Sequence, residues 1–318
     1  MIILVPDSVC AELAPRAREI SADITLQGYA EDGPVPDTLD QAEGVLRWIA
    51  GKRYAPLTAQ GERVRWLHTA SAGVDHVLTP EVRAKANLTV TDSGSAFEIA
   101  ISEFVLAWML MVARRLPLLL ARQQAHVWEW VPQQELHGAT VGVIGLGPIG
   151  RGVAIRSKAF GMRTLGLRRR PEPVDGVDQV LTGPDGLARI LAESDYLVLA
   201  AALTDSTHSL IGAGELARMK PGAWIVNIAR GAMIDEPALI AALQNGAIAG
   251  ACLDVFACEP LPSDSPLWDM PNVYVCPHSS SGWTDGLQAR QKQLFLDNLR
   301  RFRQAEPLAN VVDITRGY

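Results

Sequence analysis

Short apolar runs rich in β-branched residues recur along this chain and predict strands buried on both faces. In the first third they are Ile2 to Val5, Ile24 to Leu26, Val45 to Ile49, Trp66 to Thr69 and Leu88 to Thr91. Val9 to Ile20, between the first two, spaces its apolar residues as a helix does. Strands alternating with helical segments predict a small parallel α/β domain. A second series follows at Thr140 to Ile144, Arg163 to Leu167, Tyr196 to Ala200, Trp224 to Ile228, Ala251 to Val255 and Val273 to Val275. Helices such as Arg151 to Phe160 and Glu236 to Asn245 separate these runs, with Gly161 and Gly246 where helix C-termini favour glycine. The second pattern predicts a doubly wound parallel sheet.

Between the two series lies a long apolar helical tract, Glu98 to Gln124, which Pro117 kinks or divides. It suits either a single core helix or a hinge or subunit contact, for which Trp128 and Trp130 supply apolar area. An amphipathic helix, Asp285 to Phe302, carries the chain away from the second series, and Val311 to Ile314 can return to the first. A length of 318 residues accommodates two domains. With 48% hydrophobic and 20% charged residues the composition is that of a soluble globular protein, and a net charge of -6 argues against a nucleic-acid surface. The N-terminus, Met-Ile-Ile-Leu-Val-Pro6, reads as a strand and not as a secretion signal. The apolar stretch Phe104 to Ala113, bounded by Glu103 and Arg114-Arg115, falls short of a membrane span. Cys10, Cys252, Cys258 and Cys276 form no C-x-x-C pair and read as buried thiols of a cytoplasmic protein. Cys258, Cys276 and His278 lack a second paired ligand spacing, so no metal is expected.

Candidate chemistry starts at Thr140-Val-Gly-Val-Ile-Gly-Leu-Gly-Pro-Ile-Gly150, a buried-strand run that breaks into G-x-G-x-x-G spacing. Gly145 permits a tight turn, Gly147 leaves room for a pyrophosphate, and Gly150 lets the following helix pack closely and aim its amides at the anion. In dinucleotide sites an acidic residue about twenty positions on binds the ribose hydroxyls. Here the second strand ends instead in Leu167-Arg168-Arg169-Arg170. Guanidinium groups at that place favour a 2′-phosphate, hence NADP with NAD still possible; the plainer reading is a solvated basic turn. Three later strand ends carry Asn227-Ile-Ala-Arg230-Gly, Asp254-Val-Phe-Ala-Cys-Glu259-Pro and Pro277-His278. Taken singly, Arg230 suits a structural ion pair, Glu259 a surface charge and His278 a core histidine. On one edge of a parallel sheet they form an acid–base set. Ser71-Ala72-Gly73, after the Trp66 strand, reads as an ordinary turn or as a loop whose amides hold a carboxylate.

In the order of these blocks the chain resembles the D-isomer-specific 2-hydroxyacid dehydrogenases. The resemblance rests on Gly145 to Gly150, Leu203-Thr-Asp-Ser-Thr207, Met219 to Asp235, Leu253 to Pro260 and Pro277-His278. It implies two doubly wound parallel-sheet α/β domains. Residues 1–98 plus 287–318 would form a flavodoxin-like substrate-binding domain, and residues 99–286 a Rossmann dinucleotide-binding domain. The resemblance makes Arg230 the group that holds the substrate carboxylate and polarises its C2 carbonyl. His278 becomes the proton donor, and Glu259 the carboxylate that orients the imidazole and favours its cation. The Ser71, Ala72 and Gly73 loop corresponds to the substrate cradle. Gly145, Gly147, the Pro148 and Ile149 amides, Gly150, Arg168, Arg169, Leu203, Thr207, Ile228, Ala229, Arg230 and Asp254 correspond to cofactor contacts.

The implied reaction is NADP-preferring reduction of a small 2-oxo acid, such as glyoxylate or hydroxypyruvate, to the D-2-hydroxy acid by a homodimer. Alternatives are a dehydrogenase of another small anion such as phosphite, or a dinucleotide-sensing corepressor. The sequence departs from the family pattern at Ala202, Cys276, Arg168 and the serine run Ser279 to Ser281. Arg47, Trp48 and Trp283 either line the substrate pocket or serve packing.

Overall fold

The computed structural model describes residues 1–48 and 51–318. The chain opens with β1 (Ile2–Pro6), α1 (Asp7–Ile20), β2 (Thr25–Tyr29), β3 (Ala42–Arg47), α2 (Tyr54–Gln60), β4 (Trp66–Thr69), α3 (Pro80–Ala84) and β5 (Thr89–Thr91). These strands form one parallel sheet in the order β2-β1-β3-β4-β5, the flavodoxin-like order. A parallel sheet needs cover on both faces, and the side chains alternate to provide it. Ile3, Val5, Leu46 and Trp66 join Val9 and Leu13 of α1 in one cluster. Leu4, Val45 and Leu67 join Leu57 and Val82 in the other. The expected strand Val45 to Ile49 stops at Arg47, and Ile49 lies outside the described residues.

The chain continues through α4 (Glu98–Ala113), α5 (Leu116–Gln124), β6 (Thr140–Ile144), α6 (Pro148–Ala159), β7 (Arg163–Leu167), β8 (Gln179–Leu181), α7 (Gly183–Glu193) and β9 (Tyr196–Leu199). After these come α8 (Ala213–Leu216), β10 (Trp224–Asn227), α9 (Glu236–Gln244), β11 (Gly250–Leu253) and β12 (Val273–Val275). The sheet runs β12-β11-β10-β9-β6-β7-β8 with every pairing parallel. This is the Rossmann order with a seventh strand, and its direction reverses between β6 and β9. Several short elements are not named from the apolar pattern, and two show why. β8 is a three-residue edge strand with no fully buried residue, and α7 opens on Gly-Pro-Asp-Gly, which reads as a turn.

The tract expected to run from Glu98 to Gln124 divides at Arg115, which has φ +49°. Pro117 then falls in the first turn of α5, where its missing N–H costs nothing. The helical run Gly94–Ala113 is longer than the apolar stretch seen in sequence, and by length and composition alone it is enough to cross a membrane. Half of its apolar window is buried inside the protein, and α4 lies against α6. The cysteines also differ from expectation: Cys252 is buried, Cys258 is exposed and the other two are half-buried, all four being free thiols.

The final helix, α10 (Asp285–Arg303), starts at the Thr284 cap and lays Phe295, Leu296 and Leu299 on the first sheet. Phe295 stacks on Trp66 with ring centroids 5.6 Å apart. The tail then returns: Val312 N–H donates to Val90 C=O at 2.9 Å, and Val312 is buried in the first core. By contacts, Met1–Phe97 with Trp283–Tyr318 form one unit and Glu98–Gly282 the other. The family resemblance places these boundaries at 98/99 and 286/287.

Inside the first unit, His68 is wholly buried, its ring nitrogens meeting Thr91 Oγ1 at 2.7 Å and Ser93 Oγ at 3.2 Å. Burial pushes its pKa down to about 3, so the native state holds the imidazole neutral. The unfolded chain takes up this proton near pH 6.5, and stability tied to His68 is lost as pH falls through 6.5 toward 3. Asp92 opposes this over part of the range. Burial raises its carboxyl to about 6, so its contribution falls as pH rises from 3.8 to 6. His68→Gln removes only the first term: its stability deficit against wild type, measured by urea unfolding at pH 7, 6 and 5, is expected to narrow with acidity. A constant deficit refutes this assignment.

Candidate functional site

β6 is buried along its whole length and is followed by Gly145, whose N–H donates to Leu167 C=O at 2.9 Å. Gly145 has φ +94°, and a Cβ there would lie 2.5 Å from the Ala201 backbone. A Cβ on Gly150 would lie 1.9 Å from Gly145 C=O, so only glycine allows α6 to start this close to the strand. Gly147 differs, because nothing lies within 4 Å of its added Cβ. The turn is thus crowded toward the protein and open at Gly147, at the N-terminus of a twelve-residue helix. That shape and polarity fit a dinucleotide pyrophosphate. One expected contact needs correction. Pro148 has no amide hydrogen, so it shapes the turn while Gly147 and Ile149 can present N–H groups.

The end of β7 sits beside this turn through the Gly145–Leu167 bond. Arg168 is half-buried, with Nη2 4.0 Å from Glu172 Oε2, and Arg169 and Arg170 are exposed. A pair this long and this exposed contributes at most about 1 kcal/mol, leaving the guanidinium able to answer a stronger anion. After β9, Thr207 closes the 202–207 loop by donating to Ala202 C=O at 2.7 Å and accepting from Thr204 N–H at 2.8 Å. Leu203 is half-buried in the same loop.

The next three strand ends are joined by their backbones. Asn227, buried at the end of β10, accepts from Ala229 N–H at 3.1 Å and donates to Arg230 C=O at 3.0 Å. Its side chain staples the turn in which Ile228 and Ala229 are buried and from which Arg230 emerges. Gly231 then meets the loop after β11, where a Cβ would lie 1.9 Å from the carbonyl carbon of Phe256. That loop turns back through Phe256 N–H, which donates to Glu259 Oε1 at 3.0 Å. The other carboxylate oxygen, Oε2, lies 2.8 Å from His278 Nδ1.

His278 follows β12 with φ +50°, an uncommon conformation for a non-glycine residue. Asp254 holds it there. Asp254 is 1% exposed, its C=O accepts from His278 N–H at 2.9 Å, and its Oδ1 accepts from Ser279 and Ser280 N–H at 2.8 and 3.0 Å. Oδ1 of this expected cofactor contact is therefore committed to the loop that carries the histidine. With Nδ1 turned to a carboxylate, Nδ1 carries hydrogen and Nε2 is the nitrogen left to exchange a proton. The positioning roles of Asn227 and of the serine amides were missed in the sequence. They depend on which loops meet, and only the Asx-turn propensity of Asn227 signals either.

The structure thus brings the glycine turn, Arg168, Arg230, Glu259 and His278 to the carboxyl edge of the second sheet. Ser71, Ala72 and Gly73 belong to the first unit, following β4. Arg47 and Trp48 are both buried in that unit, Trp48 within its apolar core, while Trp283 is exposed.

A family model described as D-isomer specific 2-hydroxyacid dehydrogenase, NAD binding domain, matches residues 106–280. The chain belongs to the D-isomer specific 2-hydroxyacid dehydrogenase family. It is 38% identical over 250 residues to glyoxylate/hydroxypyruvate reductase B of Pectobacterium carotovorum, covering 76% of this chain and 77% of the relative. Among solved members, a D-isomer specific 2-hydroxyacid dehydrogenase from Xanthobacter autotrophicus, in complex with NADPH and MES, superposes with a TM-score of 0.86 at 31% identity. That match covers 100% of this chain and 99% of the other. An NADPH-dependent glyoxylate/hydroxypyruvate reductase from Sinorhizobium meliloti, with NADP and sulfate bound, gives 0.82 at 26% identity, covering 100% and 99%. As a member of this family the protein is an NAD(P)-dependent oxidoreductase with two parallel-sheet α/β domains.

Proposed function

We propose that this dehydrogenase reduces a small 2-oxo acid of the glyoxylate or hydroxypyruvate kind to the D-2-hydroxy acid, with NADPH preferred. The observation that carries the reading is the 2.8 Å contact of His278 Nδ1 with Glu259 Oε2, on the sheet edge that also presents Arg230 and the glycine turn. The bound nicotinamide supplies the hydride. Arg230 holds the substrate carboxylate and stabilises charge developing on the carbonyl oxygen. His278 gives that oxygen a proton from Nε2, while Glu259 fixes the ring and stabilises the cation. The Ser71 to Gly73 loop holds the carboxylate by its amides, making residues 1–97 with 283–318 the substrate-binding unit and 98–282 the nucleotide-binding unit. Two solved relatives named above carry NADPH or NADP, and curated relatives are named glyoxylate/hydroxypyruvate reductases, which supports both choices. Four free thiols accord with a reducing compartment such as the cytoplasm.

Arg168 and Arg169 are assigned to the 2′-phosphate. A charge-assisted hydrogen bond contributes about 1.5–3 kcal/mol, or roughly ten- to a hundredfold in affinity. The subunit contact is assigned to the segment from α5 to Trp130. α5 has no buried residue, and Leu116, Leu118, Leu120, Val127, Trp128 and Trp130 are all exposed. An apolar surface of this kind fits a second copy of the chain in a homodimer.

His278→Ala is expected to cut kcat by about 10²–10⁴ with NADPH affinity unchanged by fluorescence titration. A variant that keeps wild-type turnover refutes the proton-donor role. Replacing Arg168 by Asp together with Arg169 by Ala should weaken NADPH about ten- to a hundredfold and NADH far less; equal losses exclude the 2′-phosphate clamp. For the dimer, Trp128→Glu with Trp130→Glu is expected to halve the mass found by light scattering, and an unchanged mass places the interface elsewhere.

A further inference from the structure

Arg47 ends β3 with 6% of its surface exposed. Among the described residues no carboxylate lies within ion-pair distance of it, and its Nε finds no hydrogen-bond partner. The Glu31 carboxylate acts on it only from beyond that distance; burying a guanidinium without a direct partner is costly, and packing alone would be better served by an apolar side chain. Its position gives it a different use. Arg47 and Thr69 are register partners in the parallel pair β3 and β4, and Arg47 Nη1 donates to Thr69 Oγ1 at 3.2 Å. The guanidinium also lies over the Tyr54 ring, 5.4 Å from its centroid, which favours this position.

Thr69 Oγ1 receives a second donor, the Ser71 backbone N–H at 3.4 Å, and it lies 2.8 Å from Ser71 Oγ. Distance alone lets either hydroxyl donate in that last pair. With both acceptor positions of Thr69 Oγ1 taken, its one hydrogen must go to Ser71 Oγ. Ser71 Oγ then accepts inward, and its own hydrogen is left to donate outward. The polarity of the chain is set by the arginine, which can only donate.

We propose that Arg47 and Thr69 are positioning residues which, by this one-way relay, hold the half-buried Ser71 hydroxyl as a donor to the carboxylate of an anionic ligand on the Ser71 to Gly73 loop. The proposal rests on the reading of that loop as the carboxylate cradle. It adds a hydroxyl donor to the backbone amides.

The test uses the full-length enzyme saturated with NADPH and oxamate as a non-reacting carboxylate probe, its affinity measured by calorimetry and its position by crystallography. Thr69→Val keeps the volume and removes the relay; oxamate is expected to bind about tenfold more weakly. Thr69→Ser, which restores the hydroxyl, should recover most of the loss, whereas a purely packing role would favour Val over Ser. Ser71→Ala should lose the same factor, and Thr69→Val in the Ser71→Ala background should lose little more. If Thr69→Val does not fold, Arg47→Lys takes its place: it should weaken oxamate when Ser71 is present and have no further effect in the Ser71→Ala background. Oxamate on this loop with undiminished affinity for Thr69→Val, or with additive losses, overturns the relay and leaves the cradle standing. Oxamate that fails to bind, or that binds another loop, overturns the cradle and the relay with it.

Discussion

Asp254 is the residue on which the second sheet's functional edge depends. Its N–H donates to Asn227 C=O at the end of β10, and its C=O accepts from His278 N–H beyond β12. Its carboxylate accepts two more backbone amides from the loop after the histidine. A carboxylate almost wholly removed from water is costly unless hydrogen bonds replace its hydration. Charge-assisted bonds from amides, each worth about 1.5–3 kcal/mol, supply that replacement. The consequence is geometric. Three strand ends that could fray independently are tied at one residue, and His278 is held at φ +50° with its ring against Glu259.

Close backbone approach supplies the complementary constraint. At Gly150 and Gly231 a methyl group would fall 1.9 Å from backbone atoms of a neighbouring segment. At both places main chain meets main chain with no room for a side chain between. The first sheet reaches a similar end by different means. Its carboxyl edge is organised by side-chain hydroxyls and a buried cation, with Arg47, Thr69 and Ser71 in series.

Much of this could be read in the sequence because it lies in contiguous signals. Thr140 to Gly150 announces a strand, a turn and a helix by residue type alone, and the strand ends at Asn227, Asp254 and Pro277 follow apolar runs of ordinary length. What could not be read depends on contacts between segments. The Arg47–Thr69 bond exists because β3 and β4 pair in one particular register, which no local pattern specifies. β8 escaped because an edge strand of three residues has no apolar face to reveal it. The role of Asp254 was obscured for another reason: an aspartate at a strand end has the same local signature whether it faces a ligand or caps a loop. The division of the long tract was legible from Pro117, but its position was not: the left-handed residue that makes the break is Arg115, which has no such local signature.

The separation of these groups along the edge has a consequence for specificity. The cations assigned to the 2′-phosphate follow β7, whereas the acid–base set follows β10, β11 and β12. Among the described residues Arg168 pairs with Glu172, outside the set of Asn227, Asp254, Glu259 and His278, and that long, exposed contact adds little stability. Groups without shared partners contribute almost independently to free energy. On the proposed reading, cofactor choice can change at β7 without disturbing the histidine, while a change at Asp254 reaches both Asn227 and the loop that carries His278. If those assignments hold, a doubly wound sheet keeps chemistry fixed and leaves cofactor preference adjustable by placing them on different strands of one edge.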